Sequence, residues 1–228
     1  TQAINIVANG IAVEAGDEIV LSVMEHHSNI VPWHFLRDRR GAVLKWLDVD
    51  DDGGIDLDAL EALITARTKM VALTHMSNVL GARTPAAEIV RIAHAKGVPV
   101  LLDGCQAVVH GRVDVQALGV DFYAFTGHKL YGPTGIGALY GKRERLAALA
   151  PFEGGGEMID IVEQGRVLYN EPPHRFEAGT PPILEAIGLG AAIAWLERQD
   201  RAAIEAHEAA LRERAMAVRG RLRVSSLP

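Results

Sequence analysis

The chain has 228 residues, 49% of them hydrophobic, a formal net charge of -6 and a single cysteine, Cys105. That length and apolar content suffice for a buried core of domain size, and the acidic balance argues against nucleic acid or an anionic membrane as a partner. No apolar run reaches the roughly 20 residues that a membrane-spanning helix needs, and one cysteine excludes an internal disulfide framework, so we expect a cytoplasmic protein.

Short apolar runs alternate with helical patterns along the chain, which is typical of β-α-β units around a mostly parallel sheet. After a helical pattern over 1–16, the predicted strands lie at 17–24, 42–49, 68–76, 98–103, 121–128 and 135–141, and the predicted helices between them at 28–41, 56–65 and 85–97. Ser28 is a candidate N-cap for the first of these helices. Residues 151–181 are predicted to form a long irregular connection, and 182–199 and 202–222 to form helices. The pattern predicts a three-layer α/β/α fold.

Polar residues follow the ends of several predicted strands. His26 comes after the first strand, Asn78 after the third, Asp103 and Gln106 at and after the fourth, and Lys129 after the fifth. The carboxyl ends of parallel strands meet at one edge of a sheet, where ligands bind in open α/β folds. We therefore expect these five side chains to form one site.

The residues at this edge match what pyridoxal phosphate needs. The cofactor requires a lysine that bonds to it covalently and a carboxylate that keeps its pyridine nitrogen protonated, and these roles suit Lys129 and Asp103. Its phosphate needs hydroxyls, backbone N–H groups and a helix N-terminus, and Thr126, His128 and Thr1 can contribute to such a cradle. The glycines on both sides of Lys129 allow the backbone to approach a ligand closely.

The histidines at this edge support two interpretations. The flat ring of His26 can stack on a cofactor, and an imidazole can move protons near neutral pH. Alternatively, His26, His27 and Asp103 form a zinc site, but Lys129 and Gln106 would then have no role.

The acidic stretch 48–59 has aspartates at the opening positions of an EF-hand calcium loop. Its twelfth position, which should be a glutamate, is Ala59, and the preceding pattern is that of a strand rather than a helix. We interpret the stretch as a turn that leads to Asp56 as the N-cap of the next helix.

Four motifs carry a resemblance to a known family, and they occur in the order EHHSNIVPW (25–33), DGCQAVVH (103–110), FTGHKLYGPTGIG (125–137) and RFEAGTP (175–181). Together they are similar to the aminotransferase class V family of pyridoxal-phosphate enzymes. Within that family the chain resembles the cysteine desulfurases, in the group that includes Suf-type enzymes and selenocysteine lyases. The resemblance covers essentially the whole chain.

The resemblance implies a fold and an activity. The fold would be the large domain of fold-type I pyridoxal-phosphate enzymes, over 1–181, with 151–181 as an interface loop in a homodimer and 182–228 leading towards a small domain. The activity would be the conversion of L-cysteine to L-alanine, with sulfur passed as a persulfide to an acceptor protein for iron–sulfur cluster assembly.

The resemblance also implies roles around the cofactor ring. Lys129 would bond to the cofactor covalently, and Asp103 would pair with the pyridine nitrogen. Gln106 would bond to the ring phenolic oxygen. His26 would stack on the ring and take part in acid–base steps.

Further roles concern the phosphate and the substrate. By the same resemblance, Thr126 and His128 would hold the phosphate, with Thr1 contributing from the first helix. Thr180 would reach the phosphate of the neighbouring subunit. Asn78 would help to bind the substrate carboxylate.

The chain departs from the desulfurase pattern in one respect. Those enzymes carry a persulfide-forming cysteine and a carboxylate-binding arginine in a C-terminal small domain, and nothing in this sequence matches that domain. Cys105 lies beside Asp103, which is the wrong position for the persulfide cysteine. We expect a fragment that lacks an N-terminal segment and the small domain.

Other functions are compatible with the same residues. A selenocysteine lyase, a cysteine sulfinate desulfinase, an epimerase or a catalytically incomplete domain would share the residues named above.

Overall fold

The computed structural model describes residues 1–219 as a six-stranded sheet with helices on both faces and a separate hairpin. The strands are β1 (Glu18–Ser22), β2 (Val43–Leu47), β3 (Thr68–Thr74), β4 (Val100–Asp103), β5 (Phe122–Thr126), β6 (Gly137–Gly141), β7 (Ile159–Glu163) and β8 (Arg166–Tyr169). The helices are α1 (Gln2–Gly10), α2 (Val31–Arg40), α3 (Leu57–Leu63), α4 (Ala86–Ala95), α5 (Ala107–His110), α6 (Val115–Leu118), α7 (Arg143–Ala147), α8 (Ile183–Glu197) and α9 (Arg201–Arg219). Short 3-10 helices lie at His27–Asn29, Gly127–Lys129 and His174–Phe176.

The main sheet has the strand order β2-β1-β3-β4-β5-β6. Its first five strands are parallel, and β6 pairs antiparallel with β5. This arrangement confirms the predicted mostly parallel sheet. Within residues 1–219, no helix combines the length and the apolar composition that crossing a bilayer requires.

Alternate residues of the central strands pack into two separate cores, one on each face of the sheet. On β3, for example, Met70 and Ala72 face the core that contains α1 and α2, whereas Val71 and Leu73 face the core that contains α3 and α4. A strand buried on both faces reads as a continuous apolar run because successive side chains point in opposite directions. The predicted three-layer α/β/α fold is therefore confirmed.

The acidic stretch before α3 is a turn, as predicted. One carboxylate oxygen of Asp50 accepts hydrogen bonds from the backbone amides of Asp52 and Gly54, at 2.9 and 2.7 Å. Asp56 then caps α3 by accepting hydrogen bonds from the amides of Asp58 and Ala59. The Asp56 contacts satisfy amides at the start of α3 that would otherwise have no intrahelical partner.

The first two helices differ from their predicted bounds. Helix α1 ends at Gly10, which packs closely against the carbonyl oxygen of Ala150, and Ile11 is extended. Helix α2 begins at Val31 rather than Ser28, because a 3-10 turn occupies residues 27–29. Ser28 was therefore the wrong N-cap: the cap position is Ile30, and Ser28 instead donates its backbone N–H to the His26 ring.

The segment 151–181 contains more regular structure than predicted. Strands β7 and β8 form an antiparallel hairpin with Glu163 paired to Arg166, so that Gln164 and Gly165 make a two-residue loop. Isoleucine and valine favour strands, and a glycine suits such a tight turn, so the sequence did carry this signal. The predicted helices after 182 are confirmed as α8 and α9, and residues 220–222 of the second prediction lie outside the described residues. The domain boundary at 181 stays a prediction.

Candidate active site

The carboxyl ends of four strands lie side by side, because β1, β3, β4 and β5 are consecutive in the sheet. Thr74 at the end of β3 is the register partner of Asp103 at the end of β4, and Asp103 is in turn the partner of Ala124 on β5. Lys129 follows β5 after a single 3-10 turn. The sheet order thus confirms that the strands predicted to carry the site are parallel neighbours.

Asp103 is a buried carboxylate at this edge of the sheet. Its Oδ1 accepts a hydrogen bond of 3.0 Å from the backbone amide of Cys105, which fixes the orientation of the carboxylate. The Cys105 thiol also bonds to this carboxylate, and no other side chain within residues 1–219 donates a hydrogen bond to it. A carboxylate in such a buried residue favours a partner that donates a hydrogen bond or carries positive charge.

The charges of Lys129 and Asp103 both act on the His26 ring. Burial lowers the pKa of the His26 imidazole, and the ammonium group of Lys129 lowers it further, whereas the Asp103 carboxylate acts in the opposite direction. The ring is therefore neutral at pH 7. Its Nδ1 accepts a hydrogen bond of 3.1 Å from the backbone amide of Ser28, so the proton of the neutral ring is on Nε2.

Hydroxyl groups suited to an anion lie near both His26 and Lys129. Thr126 and His128 share a hydrogen bond of 2.9 Å between Oγ1 and Nδ1. Thr1 shares one of 2.8 Å with the hydroxyl of Ser28, which places the start of α1 against the turn that carries His26. These contacts bring Thr1 near His26, although the two are distant in sequence.

Three predicted site residues have fewer contacts. Gln106 is half-buried at the N-cap position of α5, Asn78 is exposed in the turn after β3, and Thr180 is exposed shortly before α8. None of the three side chains makes a hydrogen bond within the part of the chain that the structure describes. Their roles stay predictions.

Tyr123 and His75 form a buried support behind Asp103 that sequence reasoning missed. The ring of Tyr123 packs directly against Gly104 and leaves no room for a Cβ atom there. The Tyr123 hydroxyl and His75 Nδ1 share a hydrogen bond of 2.9 Å. Burial raises the pKa of Tyr123 and lowers that of His75, so both groups are neutral at pH 7. The only sequence signal was the glycine that follows Asp103.

Glu25 is a second buried group that sequence reasoning missed, and it directly precedes His26. Its side chain accepts hydrogen bonds from the Ser22 hydroxyl, the Asn29 amide group and the backbone amide of Thr74. Burial raises the pKa of Glu25 from 4.5 to about 7, although these hydrogen bonds oppose the shift. A carboxyl group with that pKa changes between its protonated and ionised forms near neutral pH.

Cys105 is unsuited to nucleophilic chemistry. Burial, together with the charge on Asp103, raises the pKa of the Cys105 thiol to about 12. The thiol is therefore protonated at neutral pH, whereas the thiolate is the reactive form. Across residues 1–219, His, Cys, Asp and Glu side chains form no group of three or more that could hold a metal ion.

Comparison with known proteins identifies the family. Residues 1–222 match aminotransferase class-V, and the chain belongs to that family. It is 54% identical over 222 residues to a cysteine desulfurase from Dickeya dadantii, an alignment that covers 95% of this chain and 54% of that protein. The chain thus spans about half the length of the curated relatives that it matches.

Solved structures of cysteine desulfurases share the fold. The cysteine desulfurase CsdA from Escherichia coli matches with a TM-score of 0.85 at 45% identity, over 88% of this chain and 51% of that one. The apo cysteine desulfurase from Thermococcus onnurineus NA1 matches with a TM-score of 0.89 at 39% identity, over 95% of this chain and 55% of that one. The sheet described above is therefore the fold of this class of enzymes.

Proposed function

We propose that the chain binds pyridoxal 5'-phosphate at the carboxyl edge of its sheet and that the whole protein is a cysteine desulfurase. The observation that carries the proposal is Asp103, a buried carboxylate whose hydrogen-bond donors within residues 1–219 are the amide and thiol of Cys105, at the same sheet edge as the half-buried residue Lys129. This donor set fits the pyridine nitrogen and the aldehyde group of the cofactor. Once bound, the cofactor would supply a ring that withdraws electrons from the substrate α-carbon.

Three residues act at the ring in this proposal. Asp103 would keep a proton on the pyridine nitrogen, because a buried carboxylate stabilises an adjacent positive charge. Lys129 would hold the cofactor through Nζ and would move the proton at the substrate α-carbon. His26 presents a neutral ring for stacking, and its Nε2–H points away from the Ser28 contact.

Other residues bind the phosphate and the substrate. Thr126 and His128 hold the phosphate, supported by the hydrogen bond between them, and Thr1 adds the N-terminus of α1. We assign Gln106 to the ring phenolic oxygen and Asn78 to the substrate carboxylate.

The reaction breaks the carbon–sulfur bond of L-cysteine and releases L-alanine. The sulfur passes as a persulfide to a thiolate other than Cys105, since the pKa of that thiol is raised to about 12. A sulfur-acceptor protein then takes the persulfide sulfur for iron–sulfur cluster assembly, in the cytoplasm. The cysteine desulfurases among its relatives support this substrate.

We also propose a homodimer in which Thr180 reaches the phosphate of the other subunit. Apolar side chains on the first turns of α8 support an interface next to Thr180. Ile183, Leu184 and Ile187 are 57%, 79% and 67% exposed in the single chain. Apolar side chains exposed together in this way mark an interaction surface.

Cofactor binding is tested by adding pyridoxal 5'-phosphate to the purified chain and recording its visible absorption. We expect a visible band that disappears on borohydride reduction, with the pyridoxyl group on the peptide that contains Lys129. Lys129→Ala should abolish this labelling, whereas the control Lys69→Ala should retain it, because Lys69 is a surface residue paired with Asp17. No band with the wild-type chain, or a label on another lysine, would contradict the proposal.

The activity is tested by supplying L-cysteine with a thiol reductant and measuring alanine. Cysteine sulfinate and selenocysteine serve as competing substrates in the same assay. Alanine release from cysteine that depends on Lys129 supports the desulfurase, whereas turnover of only one of the competitors would reassign the substrate.

A further inference from the structure

Glu25 lies buried at the carboxyl end of β1, with 6% of its surface exposed. Its two carboxylate oxygens accept hydrogen bonds of 2.5 Å from Ser22 Oγ, 2.7 Å from Asn29 Nδ2 and 2.9 Å from the backbone N–H of Thr74. The three donors belong to β1, to the 3-10 turn at 27–29 and to β3. One side chain thus connects three elements below the site.

The contact with Thr74 compensates for a break in the sheet. Beyond Ser22 the chain follows β2, since the amide of Val23 donates to the carbonyl of Leu47. The Thr74 amide, at the end of β3, then has no backbone acceptor on the β1 side, and Glu25 supplies a carboxylate oxygen in its place. A buried amide without a partner would be strongly unfavourable.

The network continues on the far side of His26. Asn29 Nδ2 also donates to the carbonyl of Ala72 at 3.2 Å, and Asn29 Oδ1 accepts a hydrogen bond of 3.0 Å from the indole of Trp33 in α2. No buried side-chain polar atom within residues 1–219 lacks a hydrogen bond. His26 thus lies between two residues, Glu25 and Asn29, that are bonded to each other and to β3.

We propose that Glu25 is a positioning residue that holds the His26 imidazole at the cofactor edge by fixing both ends of the turn 25–29. The charged or titratable group that faces Glu25 from the neighbouring strands is Asp103 on β4. This inference deepens the proposed function, since it concerns the residue that stacks on the cofactor there.

The variant Glu25→Gln tests the proposal with almost no change in volume. It replaces one acceptor oxygen by an NH2 group, which is a donor and therefore opposes the donors that now meet there. Glu88→Gln is the matched control, because Glu88 is exposed on α4. If Glu25→Gln does not fold, Ser22→Ala removes one of the three hydrogen bonds and serves in its place.

The first measurement uses NMR on the chain without cofactor. In the wild type and in Glu88→Gln, we expect His26 to show nitrogen shifts of a single tautomer with the proton on Nε2, and slow exchange of the Thr74 amide. In Glu25→Gln, the His26 signals should average between tautomers and the Thr74 amide should exchange at least about tenfold faster. Unchanged His26 signals in a folded Glu25→Gln would overturn the proposal.

The second measurement is a double-mutant cycle on the Kd for pyridoxal 5'-phosphate. Glu25→Gln should weaken binding by about tenfold, and Glu25→Gln added to His26→Gln should weaken it no further, since Glu25 acts through His26. Losses that multiply would show that Glu25 acts independently and would overturn the proposal. If the wild type does not bind the cofactor, the proposed function fails, and the NMR measurement alone decides the role of Glu25.

Discussion

The stability of the fold should depend on pH through Glu25. Burial raises the pKa of Glu25 from 4.5 to about 7, the charge on Asp103 adds to this shift, and hydrogen bonds from Ser22, Asn29 and Thr74 reduce it. Because the pKa is higher in the folded than in the unfolded state, the folded chain binds the proton more tightly. The stabilisation from the protonated group is complete below pH 4.5 and is lost as the pH rises through 7.

The size of the effect follows from the two pKa values. Between 4.5 and about 7 lie roughly 2.5 pH units, and each unit corresponds to about 1.4 kcal/mol, so the free energy of unfolding should fall by about 3 kcal/mol between pH 4.5 and pH 8. Glu25→Gln cannot titrate and should lack this contribution. Its lost hydrogen bonds give an offset that does not change with pH.

The assay is urea unfolding of both proteins across this pH range, followed by the fluorescence of the buried Trp33. His75, which also has a shifted pKa, is present in both proteins and bonds to Tyr123 rather than to Glu25, so its contribution cancels in the difference. The difference in unfolding free energy between wild type and variant should therefore change by about 3 kcal/mol. Two pH curves that run parallel would refute the reasoning.

Three further substitutions should change stability, measured by the same unfolding experiment. Gly104→Ala should destabilise by about 3 kcal/mol because its methyl group overlaps the ring of Tyr123; an effect near zero would mean that the ring can move. Asp56→Ala should destabilise by about 1 kcal/mol through loss of the α3 cap, and Asp56→Ser should recover most of it. Asp121→Asn should destabilise by about 2 kcal/mol, since this buried carboxylate accepts from the Val100 amide, bonds to the His94 ring and pairs with the cations Lys142 and Arg145; equal stability above pH 7 would contradict this.

The sheet and the position of the site could be predicted because both follow from local patterns. Apolar runs of strand length, each followed by polar residues, indicate parallel strands that are buried on both faces, and such strands must present their carboxyl ends at one edge. Asp103 and Lys129 could be predicted to lie at this edge because Asp103 ends β4 and Lys129 closes the short turn after β5. Whether the two residues lie close together then depends only on the order of the strands in the sheet. The β-α-β alternation limits the number of possible orders.

The roles of Glu25, His75 and Tyr123 could not be predicted, because the residues that contact them come from distant parts of the chain. A glutamate is seldom buried, and the burial of Glu25 depends on an unpaired amide at Thr74, which exists only because the pairing of β1 with β3 ends at Val20. Similarly, His75 and Tyr123 are far apart in sequence and meet only because β3 and β5 flank β4. Composition and periodicity contain neither relation.

Asp103 is held between these two supports, and their charges affect it. On the β3 side, Thr74 is the register partner of Asp103, and its backbone amide donates a hydrogen bond to Glu25. On the β5 side, Tyr123 packs against Gly104. The raised pKa of Tyr123 keeps that side neutral, whereas Glu25 gains a negative charge as the pH rises through about 7. Ionisation of Glu25 therefore destabilises the fold at high pH. A ligand that binds only the folded chain stabilises it, so binding of the proposed ligand should offset part of the stability lost at high pH.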